Sequence, residues 1–202
     1  MDFSNVKQHL KDFGYTVKEF QTSNEAKDYL IDEIKDTTVG FGGSKTLEAM
    51  GLFEALSKNN EVTYHNMKPD DLTVDQARLK ANQADVYLSS VNALSETGEM
   101  INIDGTGNRV ASLSYGHKKV YLVIGENKIE SDFSKAYNRA RNIAGPLNAK
   151  RLHLNTPCAK YDGLKCFDCK SPDRICRMFH VLTMKPKGMD YEVLLIHEKL
   201  GY

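Results

Sequence analysis

The chain reads as an α/β fold: a mixed, mostly parallel sheet with helices on both faces. Three observations predict it. Val120-Tyr-Leu-Val-Ile124 is a continuous apolar run that ends at Gly125, the pattern of a strand buried on both faces, which parallel sheets demand. Segments of strand pattern alternate with segments of helical pattern along most of the chain, as a βαβ arrangement requires. The 202 residues, 41% of them apolar, are enough for one sizeable core.

Phe3, Val6, Leu10 and Phe13 share one helical face. Tyr15 to Phe20 alternates like a short strand. Ser23 offers a helix cap, followed by an apolar stripe of Ala26, Leu30, Ile31 and Ile34. Thr37 to Phe41 is strand-like and runs into Gly42-Gly43-Ser44, after which Leu47, Met50, Ala55 and Leu56 mark a helix. Glu61 to His65 reads as a strand, Thr73 to Gln83 as a helix and Asp85 to Ser89 as a strand. Val91 to Ile103 is strand-like but interrupted at Ser95-Glu96-Thr97-Gly98. Asp132 to Ala144 is the clearest helix, with Phe133, Ala136, Tyr137 and Ala140 on one face, and Gly145-Pro146 is expected to stop it. Val181 to Lys185 and Tyr191 to Lys199 read as two strands of a hairpin turning at Pro186-Lys-Gly188. No internal repeat or linker divides the chain, so residues 1–202 are expected to form a single domain.

Charge is balanced, 27 Lys and Arg against 27 Asp and Glu. No basic stripe stands out, which argues against nucleic acid as a partner. The N-terminal segment is charged and amphipathic and lacks the apolar centre of a signal peptide. No stretch approaches the roughly 20 apolar residues that span a bilayer. The expected location is the cytoplasm, away from membranes, where thiols stay reduced.

All four cysteines fall within one short segment: Cys158, Cys166, Cys169 and Cys176. The segment from 155 to 177 reads as an insertion before the last two strands. Thiolates are soft ligands, and four of them suit a tetrahedral zinc ion or a [4Fe-4S] cluster. The alternative, two disulfides, needs an oxidising compartment. His153 and His180 flank the segment as further candidate ligands.

Three other motifs carry candidate chemistry. In Val39-Gly40-Phe41-Gly42-Gly43-Ser44-Lys45-Thr46, a glycine-rich turn from strand to helix exposes N–H groups where an anion can approach, and Ser44 and Thr46 add hydroxyls. The spacing is neither a Walker A motif nor a dinucleotide fingerprint; an ordinary tight turn with Ser44 as N-cap is the plainer alternative. In Leu94-Ser95-Glu96-Thr97-Gly98-Glu99, Glu96 is a candidate nucleophile or base at a strand end, against the alternative of a polar turn. Asp104-Gly-Thr-Gly-Asn108-Arg109 is a tight loop that presents a guanidinium fork for a carboxylate or phosphate. Arg141 and Arg151 offer similar groups.

Taken in order, Gly40-Phe-Gly-Gly-Ser44, Ala84-Asp85, Glu96-Thr97-Gly98, Asn108-Arg109, Pro157-Cys158, Cys166-Phe-Asp-Cys169 and Ser171-Pro-Asp-Arg174-Ile-Cys176 resemble the LUD-domain proteins, the lactate-utilisation family formerly called DUF162. The resemblance runs from about Val39 to the C-terminus. It implies a fold like that of the sugar-phosphate isomerase and CoA-transferase group, in which a glycine-rich βα loop holds a phosphate or acyl group. It implies a small anionic ligand at Gly40, Gly42, Gly43, Ser44 and Thr46, with Thr97, Gly98, Asn108 and Arg109 contributing and Glu96 as the catalytic acid. It also implies a metal or iron–sulfur cluster at the four cysteines, and other lactate-oxidation subunits or a second copy of the chain as partners. The chain lacks the longer ferredoxin-like cysteine runs of electron-transfer subunits. Three functions follow as alternatives: a subunit of organic-acid metabolism, a CoA-transferase or sugar-phosphate-isomerase-like enzyme with structural cysteines, and a non-catalytic metal-binding assembly module.

Overall fold

The structure, a computed structural model, describes residues 1–202. In chain order, α1 (Ser4–Asp12) leads to β1 (Thr16–Phe20), α2 (Ser23–Glu33) and β2 (Thr38–Phe41). Two short helices follow, α3 (Lys45–Ala49) and α4 (Leu52–Leu56), then β3 (Glu61–Thr63), α5 (Val74–Asn82) and β4 (Val86–Ser89). The strands β5 (Ala93–Ser95) and β6 (Met100–Asp104) precede α6 (Asn108–Ser112) and β7 (Lys119–Gly125). After a 3-10 turn at Glu126–Lys128 come β8 (Ile129–Glu130), α7 (Phe133–Arg139), a π turn at Ala140–Ala144, α8 (Gly145–Arg151), α9 (Pro157–Lys160), β9 (Met178–Leu182) and β10 (Asp190–Ile196).

Six strands form one parallel sheet in the order β1-β10-β7-β4-β2-β3. Its inner strands β7 and β10 are buried on both faces, and successive residues feed two cores. Val120, Leu122 and Ile124 of β7 join Tyr191, Val193 and Leu195 of β10 in one core, with Phe3, Val6 and Leu10 of α1. Tyr121 and Val123 join Leu194 and Ile196 in the other, with Ala26 and Leu30 of α2 and Leu47, Leu52 and Leu56 of α3 and α4. The period-two alternation of side chains is what allows one sheet to hold two cores.

A second sheet, in the order β8-β5-β6-β9, packs on the α1 side. The β5–β6 and β6–β9 pairs are antiparallel and the β5–β8 pair is parallel. Leu94, Met100, Ile129 and Leu182 of this sheet face the first core. Its outer side meets Ala136 and Ala140 through Ala93, Ile101 and Ile103.

Several expectations need correction. The cap of α2 is Thr22, not Ser23: its hydroxyl accepts from Glu25 N while Glu25 returns a bond to the Thr22 amide, a capping box. The helix expected after Ser44 breaks at Gly51, which takes φ +60 and starts a second helix. Helix α6 went unforeseen because five residues show no periodicity.

Gly145-Pro146 does not end the long helix. The preceding π turn widens the backbone, so the proline, which has no N–H to place, occupies the first turn of α8 without colliding with the carbonyl before it. The last two strands are not a hairpin. β10 is buried at six of its seven positions, so it inserts between β1 and β7 where both faces are covered. The half-exposed β9 pairs instead at the edge of the second sheet.

Gly40 marks the tightest contact of the parallel sheet with a helix. A Cβ there would lie 2.2 Å from the Ala81 carbonyl oxygen of α5 and 3.0 Å from the Tyr87 ring. The obstacle is backbone and cannot swing away. Gly40→Ala is expected to destabilise the fold by about 3 kcal/mol or more, measured by urea denaturation; a loss under about 1 kcal/mol would mean that α5 shifts freely.

Candidate functional site

β2 and β4 are neighbours whose connections leave toward opposite faces. The chain after β2 enters α3 and α4 on one core, and the chain after β4 enters the second sheet on the other. Such divergence opens a crevice beyond the C-terminal ends of the strands. Here the crevice has a volume of about 280 Å³.

Lys128 lies at its floor. The strand β7 ends in Gly125, where a Cβ would come within 2.6 Å of the Glu198 carbonyl oxygen. That close crossing folds the chain into the 3-10 turn ending at Lys128. The side chain is only 4% exposed, and Nζ donates to Thr46 Oγ1 and Ser90 Oγ, each at 2.9 Å. No carboxylate faces it. Burial, and then the guanidinium charges of Arg139 and Arg109, press its pKa down to about 7. Thr46 also donates to the Leu200 carbonyl oxygen at 3.1 Å, and Asn127 Oδ1 accepts from Leu200 N at 3.0 Å. These bonds draw residues 200–202 over the floor.

Arg109 forms the wall. Its Nη1 donates to the Ser90 carbonyl oxygen (3.1 Å) and Asn102 Oδ1 (2.7 Å). Its Nη2 donates to Asn92 Oδ1 (2.9 Å) and the Ile103 carbonyl oxygen (2.7 Å). The terminal N–H groups are therefore spent on protein acceptors. Arg109 fixes the frame and adds charge; it is not a free fork for a ligand, as the sequence reading expected.

Asp104, the one carboxylate of the cleft lining, is also committed. Its Oδ1 accepts from Thr106 N and Gly107 N and its Oδ2 from Val110 N, at 2.8–3.2 Å. Lys45, Arg78, Arg109, Lys128 and Arg151 line the same cleft. Lys45 pairs with Glu48, and Arg78 with Asp75 at 3.0 Å. Arg151 bonds only neutral groups, Asn148 Oδ1 and the Tyr202 hydroxyl. At the mouth, burial and then the Arg78 charge lower the pKa of His65, which keeps the ring neutral. Five cationic side chains thus line the cleft against one carboxylate.

Of the residues singled out in the sequence, Gly43, Ser44, Asn108, Arg109 and Arg151 line this cleft. Ser44 is the N-cap of α3, accepting from Leu47 N. Gly42 sits behind Arg109, where a Cβ would be 3.2 Å from its Cδ. Gly40 packs on α5 and Thr46 holds Lys128, both out of direct lining. Glu96, Thr97 and Gly98 are elsewhere. Asn92, before β5, and Asp104, ending β6, are at the cleft, but the Glu96–Gly98 turn is at the far tip of that hairpin, about 10 Å away along its three-residue strand β5. There the Glu96 carbonyl contacts His9 Nδ1 at 2.8 Å and Gly98 packs on Phe13. Glu96, expected to face the glycine loop, is absent from the cleft lining, because the hairpin carries the turn to the other end of β5.

The four cysteines are free and partly buried. Thr156 Oγ1 lies 3.2 Å from Cys158 Sγ, and Arg174 donates to the Cys169 carbonyl oxygen at 2.5 Å. Arg141 pairs with Asp168 at 2.7 Å. No group of three or more His, Cys, Asp and Glu side chains is placed to hold a metal. The donor types suit zinc or an iron–sulfur cluster; the placement does not, and the expected convergence of the four thiols is not met. His153 and His180 do not complete a set, and His180 Nε2 faces Ser114 Oγ at 3.2 Å.

Lys128, Ser90 and Arg78 escaped the sequence reading. A usable signal was present for Lys128: it sits in the first polar turn after the most apolar strand, at the strand end where such sheets place ligands.

The chain is an α/β protein with a crevice at the C-terminal ends of a parallel sheet, lined by a glycine turn and cations. The profile of the LUD domain matches residues 4–196, and the chain belongs to that family, which takes its name from lactate utilisation. A crystal structure of a DUF162-family protein from Deinococcus radiodurans is similar in fold, with a TM-score of 0.55 at 11% identity over 97% of this chain and 99% of that one. No curated protein matches. No helix is long and apolar enough to cross a membrane.

Lys128 makes stability depend on pH. Its folded-state pKa is depressed to about 7 from 10.5, so between those values the unfolded chain binds the extra proton and stability rises with pH. Relative to Lys128→Met, the wild type is expected to gain a few kcal/mol from pH 7 to pH 10, read from denaturation midpoints; a difference that does not vary with pH would refute the buried, acid-free amine. Arg109→Lys keeps the charge but not the fork. Leaving buried acceptors of both sheets unpaired is expected to cost about 2–4 kcal/mol, and unchanged stability would show that the wall holds without it.

Proposed function

We propose that the protein binds a small anionic metabolite, a carboxylate or phosphate, in the cleft beyond β2 and β4, as a LUD-family component of organic-acid metabolism. One observation carries the reading: five cationic side chains line a cavity whose one carboxylate, Asp104, is already spent on three backbone N–H groups. Lys45 and Arg78 have acids of their own outside the lining, but a buried cation without one, as at Lys128, is costly, and an anionic ligand supplies the missing charge. Lys128 and Arg151 retain donors for it. Asn108 and the turn at Gly43 and Ser44 border the same space, and Arg109 holds the wall.

The transferase or isomerase alternative relied on Glu96 as a cleft carboxylate. With Glu96 at the far hairpin tip and Asp104 bonded to backbone N–H groups, the cleft supports anion binding better than acid–base chemistry. No observation favours the assembly-module reading. A zinc ion or cluster at Cys158, Cys166, Cys169 and Cys176 would require the loop to close further around it, and no step of the present reading passes through one.

Calorimetric titration with L-lactate, pyruvate and inorganic phosphate at low ionic strength tests the proposal. At least one is expected to bind in a single site, and Arg151→Ala is expected to weaken it about tenfold, the worth of one charge-assisted hydrogen bond. Absence of binding by all three, or binding untouched by Arg151→Ala, would overturn it.

A further inference from the structure

Lys128 differs from the other cations of the cleft in what surrounds it. Its Nζ meets no acid, only two hydroxyl oxygens, Thr46 Oγ1 and Ser90 Oγ, at 2.9 Å each. The charged groups that act on it are Arg139 from α7 and Arg109 from α6, both positive. Arg139 is itself tied down by the Asn127 and Asn92 carbonyl oxygens at 2.8 and 2.5 Å and faces Glu130 Oε1 at 4.0 Å; Glu130 does not act on Lys128 itself. Gly201 covers the side away from the cleft mouth closely: a Cβ there would stand 2.8 Å from Thr46 Oγ1 and 3.5 Å from Nζ.

A neutral amine has two N–H groups and one lone pair. The two hydroxyl oxygens can accept both N–H groups, which leaves the lone pair unengaged. Lys128 lines the cleft, and the little exposure it has is the route to that lone pair. A lysine meant only as a counter-charge is served as well by an exposed position. A nucleophilic lysine is made by desolvation and by a cationic neighbour, which keep the amine unprotonated near neutral pH, and both are present here.

We infer that Lys128 is a carbonyl-reactive amine and that the cleft takes 2-oxo acids, forming an imine at Nζ. The inference rests on the reading of the cleft as an anion site and names its substrate class. In the step, the Nζ lone pair attacks the carbonyl carbon, the C–N bond forms, and the carbonyl π electrons move to oxygen. That oxygen takes the proton lost by nitrogen, with the Thr46 or Ser90 hydroxyl as relay, to give a carbinolamine. Departure of the oxygen as water, with the second N–H proton, leaves the C=N bond. The sum is ketone plus primary amine giving imine plus water, with no oxidant or reductant. The carboxylate of the oxo acid stays in the positive interior beside Arg109. L-lactate, which has a hydroxyl in place of the carbonyl, can bind but cannot react.

The full-length protein is incubated with pyruvate and sodium cyanoborohydride, and the product is read by intact mass and peptide mapping. The expected result is one reduced oxo-acid adduct, located at Lys128, suppressed by excess L-lactate and absent from Lys128→Arg. Mapping of the wild-type adduct decides the site even where that variant does not fold. No adduct, or adducts spread over exposed lysines at the same level in wild type and Lys128→Arg, would overturn the imine. Calorimetric binding of pyruvate without trapping would sink this inference while leaving the anion cleft intact; absence of trapping together with absence of binding by L-lactate, pyruvate and phosphate would sink the two together.

Discussion

The guanidinium of Arg109 ties three parts of the molecule with one planar group. Ser90 follows the parallel strand β4, Asn92 opens the second sheet, and Asn102 and Ile103 belong to its central strand β6; Arg109 donates to all of them. The two sheets are thereby held at a set spacing at the cleft wall. A fork with fixed geometry can do this, whereas a flexible ammonium cannot. Gly42 lacks a side chain where the Arg109 methylenes pass, so the glycine turn and the arginine presuppose each other.

That anchoring has an electrostatic consequence. Arg109 brings a permanent charge into the interior, and the nearest acid, Asp104, is occupied by the backbone of its own loop. Arg139 adds a second charge, held by the Asn92 and Asn127 carbonyls. Lys128, the third cation and the one that can give up its proton, bears the repulsion. The chain keeps a positive cavity at a cost in stability, which is a common bargain at sites whose ligand supplies the opposite charge.

Parts of the fold were legible because they depend on local patterns. The apolar run Val120–Ile124 required burial on both faces and found it at the centre of the parallel sheet. The turn Gly42-Gly43-Ser44 carried its own strand-to-helix geometry, and Ser44 caps α3 as its residue type suggests. What misled were signals that tertiary packing overrode. Pro186-Lys-Gly188 looks like a hairpin turn, yet a strand as apolar as β10 gains more from an interior place in the parallel sheet than from pairing with half-exposed β9. Gly145-Pro146 looks like a helix stop, yet a π turn absorbs it.

The sequence alone determined the class of fold, the family and the strand end at which a glycine turn would stand, since alternating burial and turn chemistry are written residue by residue. Only the tertiary structure decided the site. Thr46, Ser90, Arg109 and Lys128 are brought together from four separate segments, and nothing in their spacing announces it. Glu96 lost its place for the same reason: the direction of a short hairpin, set by pairing with β8 and β9, decides which end of it reaches the cleft. The proton affinity of a lysine is likewise no property of its neighbours in sequence, because desolvation and charge act through space.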